Sequence, residues 1–440
     1  MAAAGVGIAF APLGQRKAPP GRLVISYWEK WSSHEGAAMR RIVDRFNASQ
    51  DRIWVEYLNV SMIDTKAMLA ISGNDAPALV GLWSFIVPEF ADTGAFLQLD
   101  DLAAGSEIGE GLYAPAVWEL LNHRGKLWAG IGTASSILMY YNRAAFREVG
   151  LDADRPPRTI EELTEYEERL TIRDAQGKLQ RLGFLPNEPV WWPAQWPEYF
   201  GGSLYSEATD TITASTPENV AAYEWFQSYL HRFGPSDVRG FAASFGTYQS
   251  PQMSLLAGQL AMIVQGPWLG NVIAAYKPEL DYAATPMPVP ESIYDPDNPR
   301  ALIECDVLMI PSNCPEPEAA WEFLKFTQRR DQQYELATAH YKSSPFRETD
   351  AAFQAAHPNK AIKEHDRVFQ SSNAFWLPRM SSVRFYREEI RKARDRIWAD
   401  ETLDPSLALE TVQSRASAEY ARVRARYQRQ LRARTERERG

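Results

Sequence analysis

Three short apolar runs separated by two helical stretches place the first constraint on this chain. Leu23-Val24-Ile25-Ser26-Tyr27 follows Gly21 and reads as a buried strand. Ala37, Ala38, Ile42, Val43 and Phe46 then recur at helical spacing until Asn47-Ala48-Ser49 breaks the pattern. Ile53 to Leu58 supplies a second strand, a helix runs from Thr65 to the Gly73-Asn74-Asp75 break, and Leu79 to Trp83 supplies a third strand. Parallel neighbours cannot be joined by a tight turn, so strand, helix, strand, helix, strand demands a parallel sheet with helical crossovers. The first 130 residues are therefore α/β.

The remainder continues in the same style. Gly125 to Gly130 reads as a turn feeding a strand, with the apolar run Ile137 to Tyr141 beyond it. Thr159-Ile160-Glu161-Glu162 sets a hydroxyl ahead of acidic residues, a helix-start signal. Further helices are predicted over 217 to 232, over Pro317 to Phe326 and through most of the chain beyond 380, with extended segments at Leu260 to Val264 and Ala301 to Pro311. No internal repeat or low-complexity linker interrupts this order. At 440 residues the chain has room for two or three domains of about 100 to 200 residues each.

Charge and cysteine usage exclude several function classes. Lys and Arg total 47 against 56 Asp and Glu, a formal charge of −9, the wrong sign for a protein whose main surface meets nucleic acid. Cys305 and Cys314 are too few for a disulfide framework or a four-thiolate zinc site, and only one bridge between them is conceivable. A strand between them holds their Cα atoms beyond the roughly 4.4 to 6.8 Å a disulfide spans, so free thiols are expected. The six histidines are scattered singly, without helical ligand spacing. No cofactor and no metal is implied. Tyr140-Tyr141 is the pattern that supplies phenolate ligands in some ferric-ion-binding proteins, but strand neighbours point to opposite faces, which disfavours iron. A phosphate-binding glycine loop, a GxSxG elbow and an HExxH helix are all missing. Acidic pairs such as Asp100-Asp101 and Glu161-Glu162 read as solvated caps.

The outlier is tryptophan, present fourteen times. Several indoles sit in loops beside turn residues: Trp28 and Trp31 after the first strand, Trp83 after the third, Trp191, Trp192 and Trp196 among prolines, Trp268 after Gly266-Pro267, and Trp376 before Leu377-Pro378. About half of these are expected to fold back as core plugs, and the others to line a site. Sugars offer flat C–H faces to indole rings and hydroxyl edges to carboxylates, amides and cations. Loops that mix tryptophan with Glu29, Lys30 and Gln195 therefore suit a carbohydrate cleft.

Three motifs in order carry a family resemblance. The first runs from Gly125-Lys126-Leu127-Trp128-Ala129-Gly130 through Tyr140-Tyr141-Asn142-Arg143 to Thr159-Ile160-Glu161-Glu162-Leu163. Gly258-Gln259-Leu260-Ala261-Met262 with Gly266-Pro267-Trp268 is the second, and Ala319-Ala320-Trp321-Glu322-Phe323-Leu324 the third. Together they resemble family 1 extracellular solute-binding proteins, the maltodextrin-binding type receptors of ABC importers, over residues 22 to 385. The resemblance implies a type II periplasmic-binding-protein fold, two α/β lobes with a hinge and the ligand in the cleft between them. It implies lobe 1 from 22–134 and 262–335, lobe 2 from 135–261 and 336–414, and crossings near Ile131 to Leu138, Leu260 to Gln265 and 335. Carried over by position, the ligand-binding residues are Glu29, Lys30, Trp31, Trp83, Trp191, Trp192, Trp196 and Trp268, with Trp376 added from its loop. A carbohydrate ligand, ABC-importer permease subunits as partners, a monomer and a non-enzymatic role in the periplasm or another extracytoplasmic space follow from the same likeness. Rival readings are a different solute in the same fold, such as a polyol phosphate or polyamine, and a glycoside-active enzyme.

Both ends depart from the family. Residues 1–21 read as a tail or the remnant of an export signal, because the apolar run 2 to 13 is too short to span a bilayer and no basic residues precede it. The lipid-anchoring cysteine of the family is missing, so any anchor would lie in a clipped segment. Residues 415–440 form a basic helical extension in which Val412, Ala416, Tyr420, Val423, Tyr427 and Leu431 make one apolar stripe. That stripe either docks a helix whose arginines are solvated, or leaves a basic face for anionic headgroups.

Overall fold

The computed structural model describes residues 18–439, with side chains described as far as residue 429. The export-signal expectation for residues 2 to 13 and the side chains of Leu431, Arg432, Arg434, Arg437 and Arg439 lie outside what is described.

The predicted alternation is present. Strands β1 (Leu23–Glu29), β2 (Ile53–Asn59) and β3 (Leu79–Trp83) are joined by helices α1 (Ser33–Ser49) and α2 (Ile63–Ser72). β1 lies between the other two, parallel to both. Ile25, Tyr27 and Glu29 alternate inward along β1, and the Tyr27 ring meets Tyr57 edge-on at 5.5 Å and Phe323 at 5.6 Å. Phe323 belongs to α4 (Pro317–Thr327), one residue longer than the helix expected there, and α5 (Arg330–Ala339) follows it. Aromatic packing of this kind adds to area burial and closes one face of the first three strands.

Two long strands join the halves of the molecule. β4 (Gly130–Asn142) is buried along all but its last residue, and β7 (Ala301–Met309) is buried along all but Glu304. The front half of β4 pairs antiparallel with β7, which pairs in turn with β3. The rear half, Leu138 to Asn142, pairs with β5 (Met262–Gln265) and β6 (Tyr282–Thr285). A register shift between Asp306 and Val307 interrupts the β4–β7 ladder, and a bulge of this type increases local twist. β8 (Ala374–Phe375) adds a short parallel partner to β7. The result is one curled eight-stranded sheet in the order β5-β4-β7-β3-β1-β2, with β6 also on β4 and β8 also on β7.

These pairings differ from the boundary expected at residue 262. Residues 262–285 share a sheet edge with the rear of β4, and the chain returns beside β3 through β7 instead of through Leu260 to Gln265. Both segments are short apolar runs, and an apolar run carries no sign of its partner strand.

The second half is an aromatic core. Trp196, Trp225, Tyr229 and Phe226 cluster around α3 (Pro217–Phe233), with Trp196 to Trp225 at 5.3 Å and Phe226 to Trp398 at 5.1 Å. The helix starting at Ile160 is capped as expected, the Thr159 hydroxyl accepting from the Glu162 N–H at 3.2 Å. Beyond 380 come α6 (Val383–Ala399) and α7 (Pro405–Arg439). α7 packs on α6 and α3, burying Leu409, Val412, Ala416 and Tyr420. Cys305 and Cys314 are free thiols, both buried.

Candidate functional site

A parallel sheet with crossovers exposes loops at the carboxyl ends of its strands, and ligands collect where the strand order changes. Here a cavity of about 390 Å³ opens at that place. One wall is built by Lys30, Trp31 and Glu35 after β1 and by Trp83 at the end of β3. The opposite wall is built by Trp191, Tyr248, Gln249 and Trp268, from the segment that packs on the rear of β4. Ser135 of β4, Glu304, Cys305 and Asp306 of β7, and Lys342 form the floor, on the two strands that cross between the halves.

The floor is an ion network. The Lys30 ammonium donates to Asp306 Oδ1 at 3.0 Å, to Glu29 Oε1 at 3.3 Å and to the Leu82 carbonyl at 3.0 Å. Lys342 donates to Asp306 Oδ2 at 2.7 Å and to Thr133 Oγ1 at 2.9 Å, and the Thr133 hydroxyl donates to the same Asp306 oxygen at 2.6 Å. Burial alone would raise the Asp306 carboxyl, but the adjacent Lys30 and Lys342 charges outweigh it and hold the group below the usual carboxylate range. Burial would likewise lower Lys30, and the Asp306 and Glu29 carboxylates more than offset that and raise it. Glu304 is set differently: burial pushes its carboxyl up, against the Trp192 N–H and the positive charge of Arg387.

The rings are braced by the same groups. Lys30 Nζ lies 5.0 Å from the centroids of both Trp31 and Trp83, and Lys342 Nζ lies 5.8 Å from Trp31 and 5.5 Å from Trp268. The Trp31 carbonyl accepts from Tyr57 Oη at 3.0 Å and Asn59 Nδ2 at 2.7 Å, while its ring abuts the buried His340 edge-on at 4.6 Å. Trp191 stands edge-on to Tyr248 at 4.9 Å, and Trp192 supports Trp268 at 6.0 Å. Trp268 lies on the backbone of Gly266, where an added Cβ would overlap the indole.

The structure divides the residues expected from sequence into three groups. Lys30, Trp31, Trp83, Trp191 and Trp268 come together on the cavity. Glu29 and Trp192 stand behind it: Glu29 is fully buried and accepts from Tyr27 Oη at 2.5 Å and from the Lys30 N–H at 2.7 Å, and Trp192 Nε1 donates to Glu304 Oε2 at 2.9 Å. Trp196 and Trp376 do not reach it. Trp196 is 2% exposed within the second core, its ring taken by Trp225, Tyr199 and Phe226, and Trp376 packs partly buried against the core. Gln195 is buried as well. A proline-flanked loop holds both plugs and cleft rings, and sequence does not distinguish them.

Glu35, Ser135, Tyr248, Gln249, Glu304, Asp306 and Lys342 were missed. Glu304 and Asp306 left a signal, two carboxylates at period-two spacing inside the apolar run from Ala301 to Pro311. The others left none. Tyr140 and Tyr141 are both buried, their hydroxyls bonded to His365 Nε2 at 2.7 Å and to the Ala153 carbonyl at 3.2 Å.

Two other cavities lack this combination. One of about 240 Å³ lies between Pro156, Met287, Pro299 and Tyr294. Another, of about 720 Å³, lies beside Asp92, Arg124, Tyr205 and Tyr420, with its Asp92 already bonded to His123, Arg124 and Ser381.

Comparison with known proteins fits this geometry. The family of bacterial extracellular solute-binding proteins matches residues 30–334. The sn-glycerol-3-phosphate-binding periplasmic protein of Shigella flexneri is 26% identical over 154 residues, 33% of this chain and 35% of that protein. Its Escherichia coli (strain K12) counterpart is 25% identical over 153 residues, so the chain spans about a third of the length of the curated relatives it matches. Among solved structures, CpMnBP1 with mannotriose bound has a TM-score of 0.77 at 22% identity, covering 89% of this chain and 99% of that one. An ABC substrate-binding protein from Listeria monocytogenes in complex with cycloalternan reaches 0.74 at 17%, covering 90% and 98%. UgpB from Mycobacterium tuberculosis in complex with glycerophosphocholine reaches 0.71 at 21%, covering 93% and 100%. The shared architecture is the type II periplasmic-binding-protein fold.

Proposed function

The chain belongs to the family of bacterial extracellular solute-binding proteins, and from that membership we propose that it is an extracytoplasmic receptor that binds a sugar or oligosaccharide and delivers it to an ABC importer. The observation that carries the reading is the cleft itself: Trp31, Trp83, Trp191, Tyr248 and Trp268 face one cavity above a floor of carboxylates, a hydroxyl and lysines. Rings take the C–H faces of a pyranose, and polar groups fixed on β4 and β7 take its hydroxyls. A volume of about 390 Å³ falls within the range of small-molecule sites. Because the two walls belong to halves joined at β4 and β7, a ligand touching both favours the closed arrangement, and that arrangement is what the permease subunits read.

The role is binding without turnover, by a monomer outside the cytoplasm. Among the described residues no helix is long and apolar enough to cross a membrane. The test is a thermal-shift and calorimetric screen of mono- and oligosaccharides, in which a ligand at 100 times its Kd stabilises by about 2.7 kcal/mol. Recovery of the bound sugar unaltered after long incubation separates a receptor from a glycoside-active enzyme. A second reading, a polyol phosphate, is favoured by the curated relatives, which bind sn-glycerol 3-phosphate. Lys30 and Lys342 are the cations such a ligand would need, and phosphate esters belong in the same screen.

A further inference from the structure

We propose that Glu304 is the group that reads ligand hydroxyls, and that the cleft selects an uncharged polyhydroxylated solute over a phosphorylated one. This rests on the receptor reading and decides the solute class within it.

The floor distributes its charge unevenly. Lys30 spends its three N–H donors on Asp306, Glu29 and the Leu82 carbonyl. Lys342 spends two on Asp306 and Thr133. Lys30 and Lys342 are the cations lining the cavity, and the carboxylates of Glu29 and Asp306 match them charge for charge. The phosphate group of a phosphomonoester carries close to two negative charges and only accepts hydrogen bonds. Only the third Lys342 N–H is left for it, and any further contact to an ammonium group would pull a lysine out of a buried pair and strand the carboxylate left behind.

Glu304 is the opposite case. It lies on the same face of β7 as Asp306, two residues away, and it is the one residue of that strand that is not fully buried. Trp192 Nε1 holds Oε2 at 2.9 Å, and among the described residues no donor occupies Oε1. Ser135 is its cross-strand partner on β4 and lines the same cavity, which adds a donor-acceptor hydroxyl to the lining. Glu35 adds a second carboxylate to the cavity surface. Arg387, whose guanidinium carbon sits 3.9 Å from the Phe85 ring centroid, offsets Glu304 from outside the cavity. A sugar meets these acceptors with O–H donors. A phosphate oxygen brings none, and it meets Glu304 and Glu35 as like charges.

A site built to bond hydroxyls rejects a ligand that sets a donor-free anionic group against its acceptors more strongly than an apolar pocket rejects a size mismatch. The test is calorimetry on the full chain with mannobiose, mannotriose, maltotriose and sn-glycerol 3-phosphate, repeated with Glu304→Gln, Glu304→Asp and Trp192→Phe. At least one sugar should bind the native chain while sn-glycerol 3-phosphate does not. Glu304→Gln should weaken that sugar by about tenfold or more, the loss of a hydrogen bond to a charged acceptor, with the unliganded melting temperature unchanged. Glu304→Asp should restore part of the affinity. Trp192→Phe, which keeps a ring and removes the donor to Oε2, should weaken sugar binding less than Glu304→Gln and serves if that variant fails to fold. Binding of sn-glycerol 3-phosphate by the native chain, or sugar affinity unmoved in both the Glu304→Gln and Trp192→Phe variants, overturns the inference and leaves the receptor reading standing. If no sugar of the wider mono- and oligosaccharide screen binds, the receptor reading falls and takes the inference with it.

Discussion

Gly81 shows how finely the floor of the cleft is fitted. It sits on β3 against the buried Glu29 carboxylate, and a Cβ at that position would overlap both carboxylate oxygens. Gly81→Ala should therefore displace Glu29, loosen Lys30, and cost about 1 to 3 kcal/mol of stability as overpacking does, measured by denaturant unfolding. Asp306 allows a prediction in pH. An unfolded aspartate titrates near 3.9, and in the folded chain Lys30 and Lys342 overcome burial and hold the group lower. A carboxyl depressed by folding contributes its full stability above the unfolded value and loses it as pH falls toward the folded one. Asp306→Asn should accordingly lower stability at pH 7 by about 3 to 5 kcal/mol, because it leaves two ammonium groups underpaired, and should flatten the acid limb of a melting-temperature profile below about pH 4. Two tryptophans separate binding from packing. Trp268→Ala should weaken sugar binding by roughly 1 to 3 kcal/mol with a modest effect on the free protein, and Trp196→Ala should cost about 3 to 5 kcal/mol of stability instead. At this scale the sequence was legible where chemistry and context coincided, as for Lys30 and Trp31 beside a strand end. It was silent where a residue such as Ser135 or Lys342 becomes functional only through the strand lying next to it.

Helix α7 is the element with the clearest division of labour. Its apolar stripe was legible because helical periodicity is a local signal, and Val412, Ala416 and Tyr420 are buried against α6 and α3 as that stripe requires. Its basic face is partly neutralised, with Arg415 on Glu389 at 3.0 Å, Arg422 on Glu419 at 2.6 Å and Arg424 on Asp210 at 2.9 Å. Exposed ion pairs of this kind add little stability. Removing residues 405–440 should cost at least about 3 kcal/mol, from Leu409 and Val412 alone, since a fully buried Val or Leu contributes about 1.5 to 3 kcal/mol. Removing 432–440 should leave the melting temperature unchanged, because the apolar stripe read from the sequence ends at Leu431. The strands were legible to different degrees. β1, β2 and β3 announce themselves through intervening helices, whereas β4 and β5 are buried on both faces and give no period that would assign a partner. That is why the return strand was expected at 260 to 265 and is found at β7.

The whole molecule joins two halves through β4 and β7, so closure must be accommodated along those strands or at their ends. Saturating sugar should shrink the radius of gyration in solution scattering while the far-ultraviolet circular dichroism spectrum stays constant, and identical scattering curves with ligand bound would remove the closing mechanism. The two-half α/β architecture was legible because order and spacing of three motifs survive low identity. The seating of residues 262–300 was not, because it depends on contacts between segments far apart in sequence. One property of the cleft reaches beyond binding. Trp83 on one wall and Trp191 on the other are the exposed indoles among the described residues, at 36% and 37%, while Trp196, Trp192 and Trp321 are sealed in apolar surroundings. Indole emission moves to shorter wavelength as water leaves the ring. Closure would thus carry an optical gauge of its own, in which the cavity tryptophans, Trp83 and Trp191 foremost, shift their emission against the sealed indoles, and a simple titration of emission maximum reads occupancy without a label.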